Sequence, residues 1–302
     1  MSVDAQILVA GSLHLDVIVQ TPNLPRLDQT VTGTGVAYAF GGKGGNQAVA
    51  AARMGASVAM AGAVGQDAFA TTLLAALDAA GVDRSNVARL SGMSGMSVAT
   101  ILPDGGYGAV IVSGANLGID AASIALPTSC QVLILQNEIP TEANLLLARR
   151  AALAGIRVIL NAAPARDTPQ ELLDLLDLLV VNRGEAADLL ALPEAGLNPA
   201  AAARDLCRGG PRAVIVTLGA DGIAAHGETA FASSAFAVNV VSTHGAGDAF
   251  LGALAAEWVR GVPLRDACRF GQAAAALHVS TPVKDRAGIT GQRVRALIAA
   301  NR

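Results

Sequence analysis

The sequence is poor in aromatic residues, in cysteine and in clustered positive charge. Aromatic side chains make up 3% of its 302 residues, and the formal net charge is −3. The lysines and arginines are scattered, so the chain lacks the basic surface that nucleic-acid binding requires. The cysteines, Cys130, Cys207 and Cys268, are far apart and do not have the spacing of zinc ligands. We therefore expect reduced thiols, a cytoplasmic location and no nucleic-acid partner.

No apolar run in the sequence is long enough to cross a membrane. The richest apolar window, residues 48–64, is interrupted by Arg53 and by several glycines. The N-terminus has no basic segment, and its apolar run is too short for a signal peptide. We therefore expect neither a membrane span nor a leader. Hydrophobic residues reach 52%, mostly Ala, Val and Leu, which is enough for a large globular core.

The most informative stretch is residues 242–252, with the sequence STHGAGDAFLG. The apolar run 236–241 predicts a buried strand before it, and an Ala/Leu-rich segment predicts a helix after it. Gly245 and Gly247 allow a sharp turn and a close approach to a ligand. The first N–H groups of such a helix favour an anion, and Asp248 adds a carboxylate beside it. The pattern indicates an anion site, although Asp at a helix start is also a common cap.

A second glycine cluster, GGKGGNQA, occupies residues 41–48 and opens a small-residue helix that ends at Gly55. It is not a P-loop, because Lys43 is followed by Gly and not by Ser or Thr. It is not a dinucleotide fingerprint either. The glycines therefore serve either a turn or the close approach of a ligand.

From residue 131 to residue 218, apolar runs of strand length alternate with helical segments. This alternation predicts a parallel sheet with helices on both faces, which binds ligands beyond the carboxyl ends of its strands. The residues that follow predicted strands are Asn137, Glu138, Asn161, Asn182, Glu185, Thr217, Gly219 and Asp248. Each could be a cap, but together they predict one ligand site. With no internal repeat or domain boundary, we expect a single domain over residues 1–302.

A hairpin interrupts this alternation. The strand-like segments 97–102 and 109–112 flank Pro103-Asp104-Gly105-Gly106, which is typical of a hairpin turn. A hairpin inserted in an α/β domain is a candidate lid or dimer surface. In an earlier strand, His14 and Asp16 alternate with apolar residues, so both lie on one face and either meet solvent or line a site.

The two glycine-containing motifs resemble the two signatures of the ribokinase-like (PfkB) family of carbohydrate and nucleoside kinases. Between them, Asn182-Arg183-Gly184-Glu185 resembles the N-x-x-E motif of the family, and Thr217-Leu218-Gly219 resembles its nucleotide-site strand end. The resemblance covers essentially the whole chain. Within the family the pattern is most similar to that of the ribokinases. This similarity rests on Asp16, Glu138, residues 41–46 and residues 161–166.

The resemblance implies an α/β fold: a three-layer sandwich with a central, mostly parallel sheet and a small β-sheet lid. The lid would be built from segments of about 13–40 and 95–113. Because the lid also forms the dimer in relatives, the resemblance implies a homodimer.

The resemblance also implies an ATP-dependent kinase that phosphorylates a hydroxyl of ribose or a similar pentose. Asp248 would be the catalytic base, and the backbone N–H groups of Gly245, Ala246 and Gly247 would form the anion hole. Glu185 would organise Mg²⁺. ATP would be bound by Asn182, Thr217 and Gly219. The sugar would be held by His14, Asp16, Gly42, Lys43, Asn46 and Glu138.

Three features depart from the ribokinase pattern. His14 stands where a sugar-contacting Asn is usual, and this bears on the choice of sugar. Ser242 stands where the signature usually begins with an Asp that helps to hold a monovalent cation in potassium-activated relatives. The cation loop expected at 280–288 is also divergent, with Lys284, Asp285 and Arg286 inserted. We therefore predict weak or absent potassium activation.

Two other functions remain open. The chain could be a nucleoside kinase of the same fold, acting on adenosine or pseudouridine, although the low aromatic content argues mildly against stacked bases. It could also be a non-catalytic regulator that binds a sugar or nucleotide, although the intact GAGD motif at 245–248 argues against this.

Overall fold

Two sheets form the framework of the computed structural model, which describes residues 4–103 and 107–301. The strands are β1 (Ile7–Ala10), β2 (His14–Gln20), β3 (Gly35–Gly41), β4 (Val58–Val64), β5 (Asp83–Arg89), β6 (Gly95–Ile101), β7 (Tyr107–Val112), β8 (Val132–Gln136), β9 (Arg157–Asn161), β10 (Leu178–Asn182), β11 (Val214–Thr217), β12 (Ile223–His226) and β13 (Phe231–Ser233). The predicted hairpin turn includes residues 104–106, which lie outside the described residues.

The larger sheet has the strand order β13-β12-β11-β10-β9-β8-β1-β4-β5. Neighbouring strands are parallel from β11 to β5 in this order. At the other edge, β12 pairs antiparallel with β11, and β13 pairs antiparallel with β12. The register pairs Gln136 with Asn161 at the ends of β8 and β9. It also pairs Asn182 with Thr217 at the ends of β10 and β11. These polar strand ends therefore lie along one edge, as the sequence predicted.

Helices cover both faces of this sheet. They are α1 (Lys43–Arg53), α2 (Ala68–Ala79), α3 (Thr141–Leu153), α4 (Gln170–Asp174), α5 (Arg183–Leu190), α6 (Pro199–Arg208), α7 (Ala246–Trp258), α8 (Leu264–Ser280) and α9 (Gly291–Ala300). In β1, Leu8 packs with α3 to α6 on one face, and Ile7 and Val9 pack with α1, α2, α7 and α8 on the other. Alternate strand residues thus feed two cores, and the predicted three-layer sandwich is confirmed.

The smaller sheet has the order β3-β2-β6-β7. Three residues separate the end of β1 from β2, which starts at His14. His14 is paired with Gly41 on β3 and with Gly95 on β6. Its strands lie within the segments predicted for a lid. Several of its apolar side chains are exposed, among them Val36, Tyr38 and Val110. The larger sheet therefore carries the buried core, and the smaller sheet presents apolar side chains to its surroundings.

The prediction of a buried strand at 236–241 is wrong. This segment has no strand assignment, and Val240 and Val241 are 59% and 58% exposed. The N–H groups of Val241 and Ser242 both donate to the carbonyl of Val279, so the segment bonds to α8 and not to a neighbouring strand. The antiparallel partner of β12 is β13, which ends at Ser233, before this segment begins.

None of the helices described in residues 4–103 and 107–301 is long and apolar enough to span a membrane.

Candidate phosphoryl-transfer site

The predicted site lies where the N-terminal ends of α1 and α7 meet. Asp248, in the first turn of α7, is buried and accepts hydrogen bonds on both carboxylate oxygens. Asn46 Nδ2 donates to Oδ2 at 3.2 Å, and Gln47 Nε2 donates to Oδ1 at 2.9 Å. Both donors come from α1, so the two glycine motifs, about 200 residues apart in sequence, form one site. Their amides fix the orientation of the Asp248 carboxylate.

Burial raises the pKa of Asp248, while the charge of Lys43 and the hydrogen bonds from Gln47 and Asn46 lower it. Burial dominates, because a carboxylate loses its hydration there. Glu138 adds a smaller upward contribution to the pKa as a nearby negative charge. The carboxylate is therefore more basic than an exposed aspartate, which suits a group that must take a proton.

Gly245 precedes α7 in the left-handed region, with φ 77°. This conformation is accessible to glycine at little cost, and it turns the chain into the helix. The N–H of Ala246 donates to the carbonyl of Thr243 at 3.2 Å. Among the described residues, no protein acceptor meets the N–H groups of Gly245 and Gly247. The start of α7 therefore offers two unpaired backbone donors next to Asp248, and the predicted third donor is engaged internally.

The first glycine block allows α1 to approach the chain after β1 closely. A Cβ added to Gly44 would lie 2.7 Å from the backbone of Gly11, and one added to Gly41 would lie 2.2 Å from the Asp16 carboxylate. Gly42 caps α1 with φ 86°. No side chain fits at these contacts without movement, which explains the density of glycine at 41–45.

Glu138 is held at the start of α1. Its Oε2 accepts the N–H of Lys43 at 2.9 Å and the hydroxyl of Ser12 in a short hydrogen bond. A carboxylate at a helix N-terminus is stabilised by the unpaired N–H groups and the helix dipole. The positive charge of Lys43 also acts to lower the pKa of Asp248, of Glu185 and of His14. Glu138 and Lys43 thus belong to the electrostatic environment of the site.

Asp16 lies on β2 and faces the same region from the smaller sheet. Ser97 Oγ donates to Oδ1 at 2.5 Å, and His244 Nε2 lies 3.3 Å from Oδ2. The hydrogen bond to Asp16 raises the pKa of His244, with partial opposition from burial. His244 belongs to the loop before α7, so this contact joins the phosphoryl side of the site to Asp16.

His14 is buried beside these groups, and burial lowers its pKa although Glu138 and Asp16 act in the opposite direction. Its Nε2 has no hydrogen-bond partner within residues 4–103 and 107–301. A buried imidazole of this kind is neutral, so it contributes shape and one polar atom to the site but no charge.

Asn182 and Glu185 form a reciprocal capping box at the start of α5. The Glu185 N–H donates to Asn182 Oδ1, and the Asn182 N–H donates to Glu185 Oε2, both at 2.8 Å. Burial raises the pKa of Glu185, and Asp248 is near enough to raise it further. Thr217 ends the next strand, and Gly219 follows in an open left-handed turn. The predicted nucleotide residues therefore line the edge that leads away from Asp248.

A buried amide network behind Asp248 was not predicted. Gln47 Nε2 also donates to Asn161 Oδ1 at 3.1 Å, and Gln47 Oε1 accepts from Gln136 Nε2 at 2.9 Å. Asn144 Nδ2 in turn donates to the Gln136 carbonyl. Gln47 and Gln136 had sequence signals, since Gln47 lies in the glycine block 41–48 and Gln136 ends β8. Only the fold shows that they meet.

A surface cleft of about 520 Å³ lies between α4, α5 and α6. Its walls contain none of the predicted site residues. The chemistry described above is therefore separate from this cleft.

Known proteins match this chain over most of its length. Residues 4–284 match the pfkB family carbohydrate kinase profile. The chain belongs to the pfkB family of carbohydrate kinases. It is 34% identical to the ribokinase of Lactococcus lactis over 280 residues, which is 91% of this chain and 90% of the relative. It is 33% identical to a deoxyribokinase of Salmonella typhi over 263 residues, 84% of this chain and 86% of the relative.

Among solved structures, the chain is similar to an Arabidopsis thaliana ribokinase complexed with ribose and ATP. The two share 28% identity and a TM-score of 0.90, over 98% of this chain and 99% of that one. As a pfkB carbohydrate kinase, the protein is a phosphotransferase that acts on a sugar hydroxyl and uses ATP. The predicted fold, family and enzyme class are confirmed.

Proposed function

We propose that the protein transfers the γ-phosphate of ATP to a hydroxyl of ribose or a closely similar pentose. The observation that carries this proposal is the buried Asp248 carboxylate, fixed by Asn46 and Gln47 beside the start of α7. The named relatives, a ribokinase and a deoxyribokinase, support a pentose as acceptor.

In this proposal Asp248 takes the proton of the attacking hydroxyl. Its pKa is raised by burial, so it accepts a proton more readily than an exposed aspartate. The unpaired N–H groups of Gly245 and Gly247 stabilise charge on the transferring phosphoryl group. Ala246 can join them only if its N–H leaves the Thr243 carbonyl. Phosphoryl transfer depends mainly on such positioning and charge stabilisation.

The sugar is proposed to bind between the two sheets. Asp16 reaches it from the smaller sheet, and Lys43, Asn46 and Glu138 reach it from the α1 side. Carboxylates accept strong hydrogen bonds from hydroxyl groups, so Asp16 and Glu138 favour a ligand with several hydroxyl groups. The backbone of Gly42 and the neutral ring of His14 complete the wall.

Mg²⁺ is proposed to bind with the nucleotide near Glu185 and Asn182. Within residues 4–103 and 107–301, no three His, Cys, Asp or Glu side chains form a metal cluster. The donor set therefore fits a magnesium ion held mainly by phosphates and water, with few protein ligands. When bound, the ion would neutralise phosphate charge. Thr217 and Gly219 would line the nucleotide beyond it.

We also propose that the smaller sheet acts as a lid and forms a homodimer through its outer face. The exposed Val36, Tyr38 and Val110 support an apolar contact there. One domain comprising residues 1–302 and a cytoplasmic location complete the proposal. The unpaired cysteines are consistent with that location.

The test is ADP release across a panel of pentoses, hexoses and nucleosides. Turnover with ribose or a near pentose supports the proposal, and turnover with nucleosides alone would replace it by a nucleoside kinase. No release with any acceptor would favour a non-catalytic regulator.

The Asp248→Asn variant tests the base. We expect kcat to fall by about 10²–10⁴-fold while ATP binding is kept, because a general base supplies an effect of that size. The matched control is Asp266→Asn, an exposed aspartate in the first turn of α8. Retained turnover in Asp248→Asn would remove Asp248 from the catalytic role.

A further inference from the structure

The loop before α7 is held by a buried arginine that follows α8. Arg286 lies in the 3-10 segment Val283–Gly288 and is only 7% exposed. Its Nη2 donates to the Ser242 carbonyl, its Nη1 to the His244 carbonyl and its Nε to the Thr281 carbonyl, each at 3.2 Å. The guanidinium therefore satisfies three backbone carbonyls, two of them in the loop that leads to Gly245.

Arg286 forms no ion pair with a carboxylate among the described residues. Its charge is stabilised by carbonyl oxygens, which is the kind of coordination that a bound metal cation receives. His278 Nε2 also contacts the His244 carbonyl at 2.9 Å, and the pKa of His278 is lowered to about 4 by burial and by Arg286. His278 is therefore neutral, and the cation that bonds the His244 carbonyl is Arg286.

The residues here do not fit a monovalent metal ion. Ser242 offers no carboxylate at the position where potassium-activated relatives have an Asp, and the Ser242 and His244 carbonyls are already used by Arg286. A free ion would have to displace a guanidinium that is covalently attached to the chain.

We propose that Arg286 is a built-in cation that positions the loop 242–245, and with it the N–H donors at the start of α7. Its guanidinium bonds the backbone carbonyls of Ser242, His244 and Thr281 and acts through them, so it is a positioning residue. The inference rests on the proposed kinase function, and it explains why potassium should have little effect on this enzyme.

The test uses Arg286→Ala, which leaves space for a free cation, with Arg293→Ala as control. Arg293 is exposed, and its Nη1 donates to the Gly288 carbonyl. We expect Arg286→Ala to lower kcat by about 100-fold, since a misplacement of about 1 Å can cost that much. KM values for sugar and ATP should change less than kcat. Arg293→Ala should behave as wild type.

Guanidinium or potassium ions, at non-denaturing concentrations, should restore part of the lost kcat in Arg286→Ala. Tetramethylammonium at the same ionic strength should not. The same ions should raise the Tm of Arg286→Ala but not that of wild type, because a ligand bound only to the folded state stabilises it. This readout does not depend on turnover.

Three results would overturn the inference: wild-type turnover that rises many-fold with potassium, a folded Arg286→Ala with wild-type kcat, or a loss that no cation restores. If Arg286→Ala does not fold, Arg286→Lys is measured instead, and the wild-type potassium response still decides. A wild type that turns over no sugar refutes the proposed function, whereas an active wild type with an unaffected variant refutes only the role of Arg286.

Discussion

Replacing Gly252 by alanine adds one methyl group and should lower kcat much more than it lowers stability. Gly252 lies one turn after Asp248 on α7, against the backbone of α1. A Cβ at this position would lie 2.6 Å from Ala50 Cβ, 2.7 Å from Gln47 O and 2.8 Å from Ala51 N. Two of these atoms are backbone and cannot rotate away. In Gly252→Ala the two helices must therefore move apart by roughly 0.8 Å to reach ordinary contact.

The expected cost in stability is small. Overpacking a core costs about 1–3 kcal/mol, but alanine is favoured over glycine in a helix by about 1 kcal/mol. The net loss in free energy of unfolding should therefore be about 0–2 kcal/mol. The same shift moves Gln47 relative to Asp248, so we expect kcat to fall by about 10–100-fold.

Coupled ADP release measures kcat, and thermal unfolding measures stability. Gly288→Ala is the control, because its added Cβ would lie at an ordinary contact distance of 3.6 Å from Arg293 Nη1. Wild-type kcat and Tm in Gly252→Ala would refute the claim that α1 and α7 need this close approach.

Two further predictions concern charged side chains. The pKa of His244 is raised by its hydrogen bond to Asp16, so this contact stabilises the fold below the ordinary value of 6.5 and is lost as pH rises through the raised pKa. The Tm gap between wild type and His244→Gln should therefore be wider at about pH 6 than at about pH 9; a gap that does not depend on pH would contradict this. Glu257 is buried, which alone would raise its pKa, but hydrogen bonds from Arg295 and Arg260 lower it overall. Glu257→Gln should lose roughly 1–3 kcal/mol in urea unfolding at neutral pH, and the loss should shrink as pH falls below 4.5 and through the lowered pKa. An unchanged urea midpoint at neutral pH would refute it.

Local sequence patterns predicted the parts of this site that depend on local chemistry. The glycines at 41–45 and at 245 follow from backbone geometry. Asn182 and Glu185 were each predicted as a cap or a ligand-site residue, and the structure shows that they cap α5 reciprocally. The alternation of strands and helices predicted the polar edge of the larger sheet.

Contacts between distant segments could not be predicted in this way. The bond between Gln47 and Asp248 depends on how α1 packs against α7, and the bonds of Arg286 depend on a segment some forty residues further along the chain. The false strand at 236–241 has a related cause. An apolar run shows that a segment can be buried, but only its neighbours decide whether it pairs with a strand or lies against a helix.

The contact between His244 and Asp16 joins the loop before α7 to the smaller sheet. In the proposed sugar complex, a hydroxyl that bonds to Asp16 Oδ2 would compete with the imidazole of His244 for that oxygen. The apparent affinity for the acceptor is then the intrinsic affinity reduced by the fraction of molecules in which that oxygen is free. Protonation of His244 strengthens the competing contact with Asp16. The affinity of the enzyme for its acceptor is therefore coupled to a proton that the transfer reaction neither takes up nor releases.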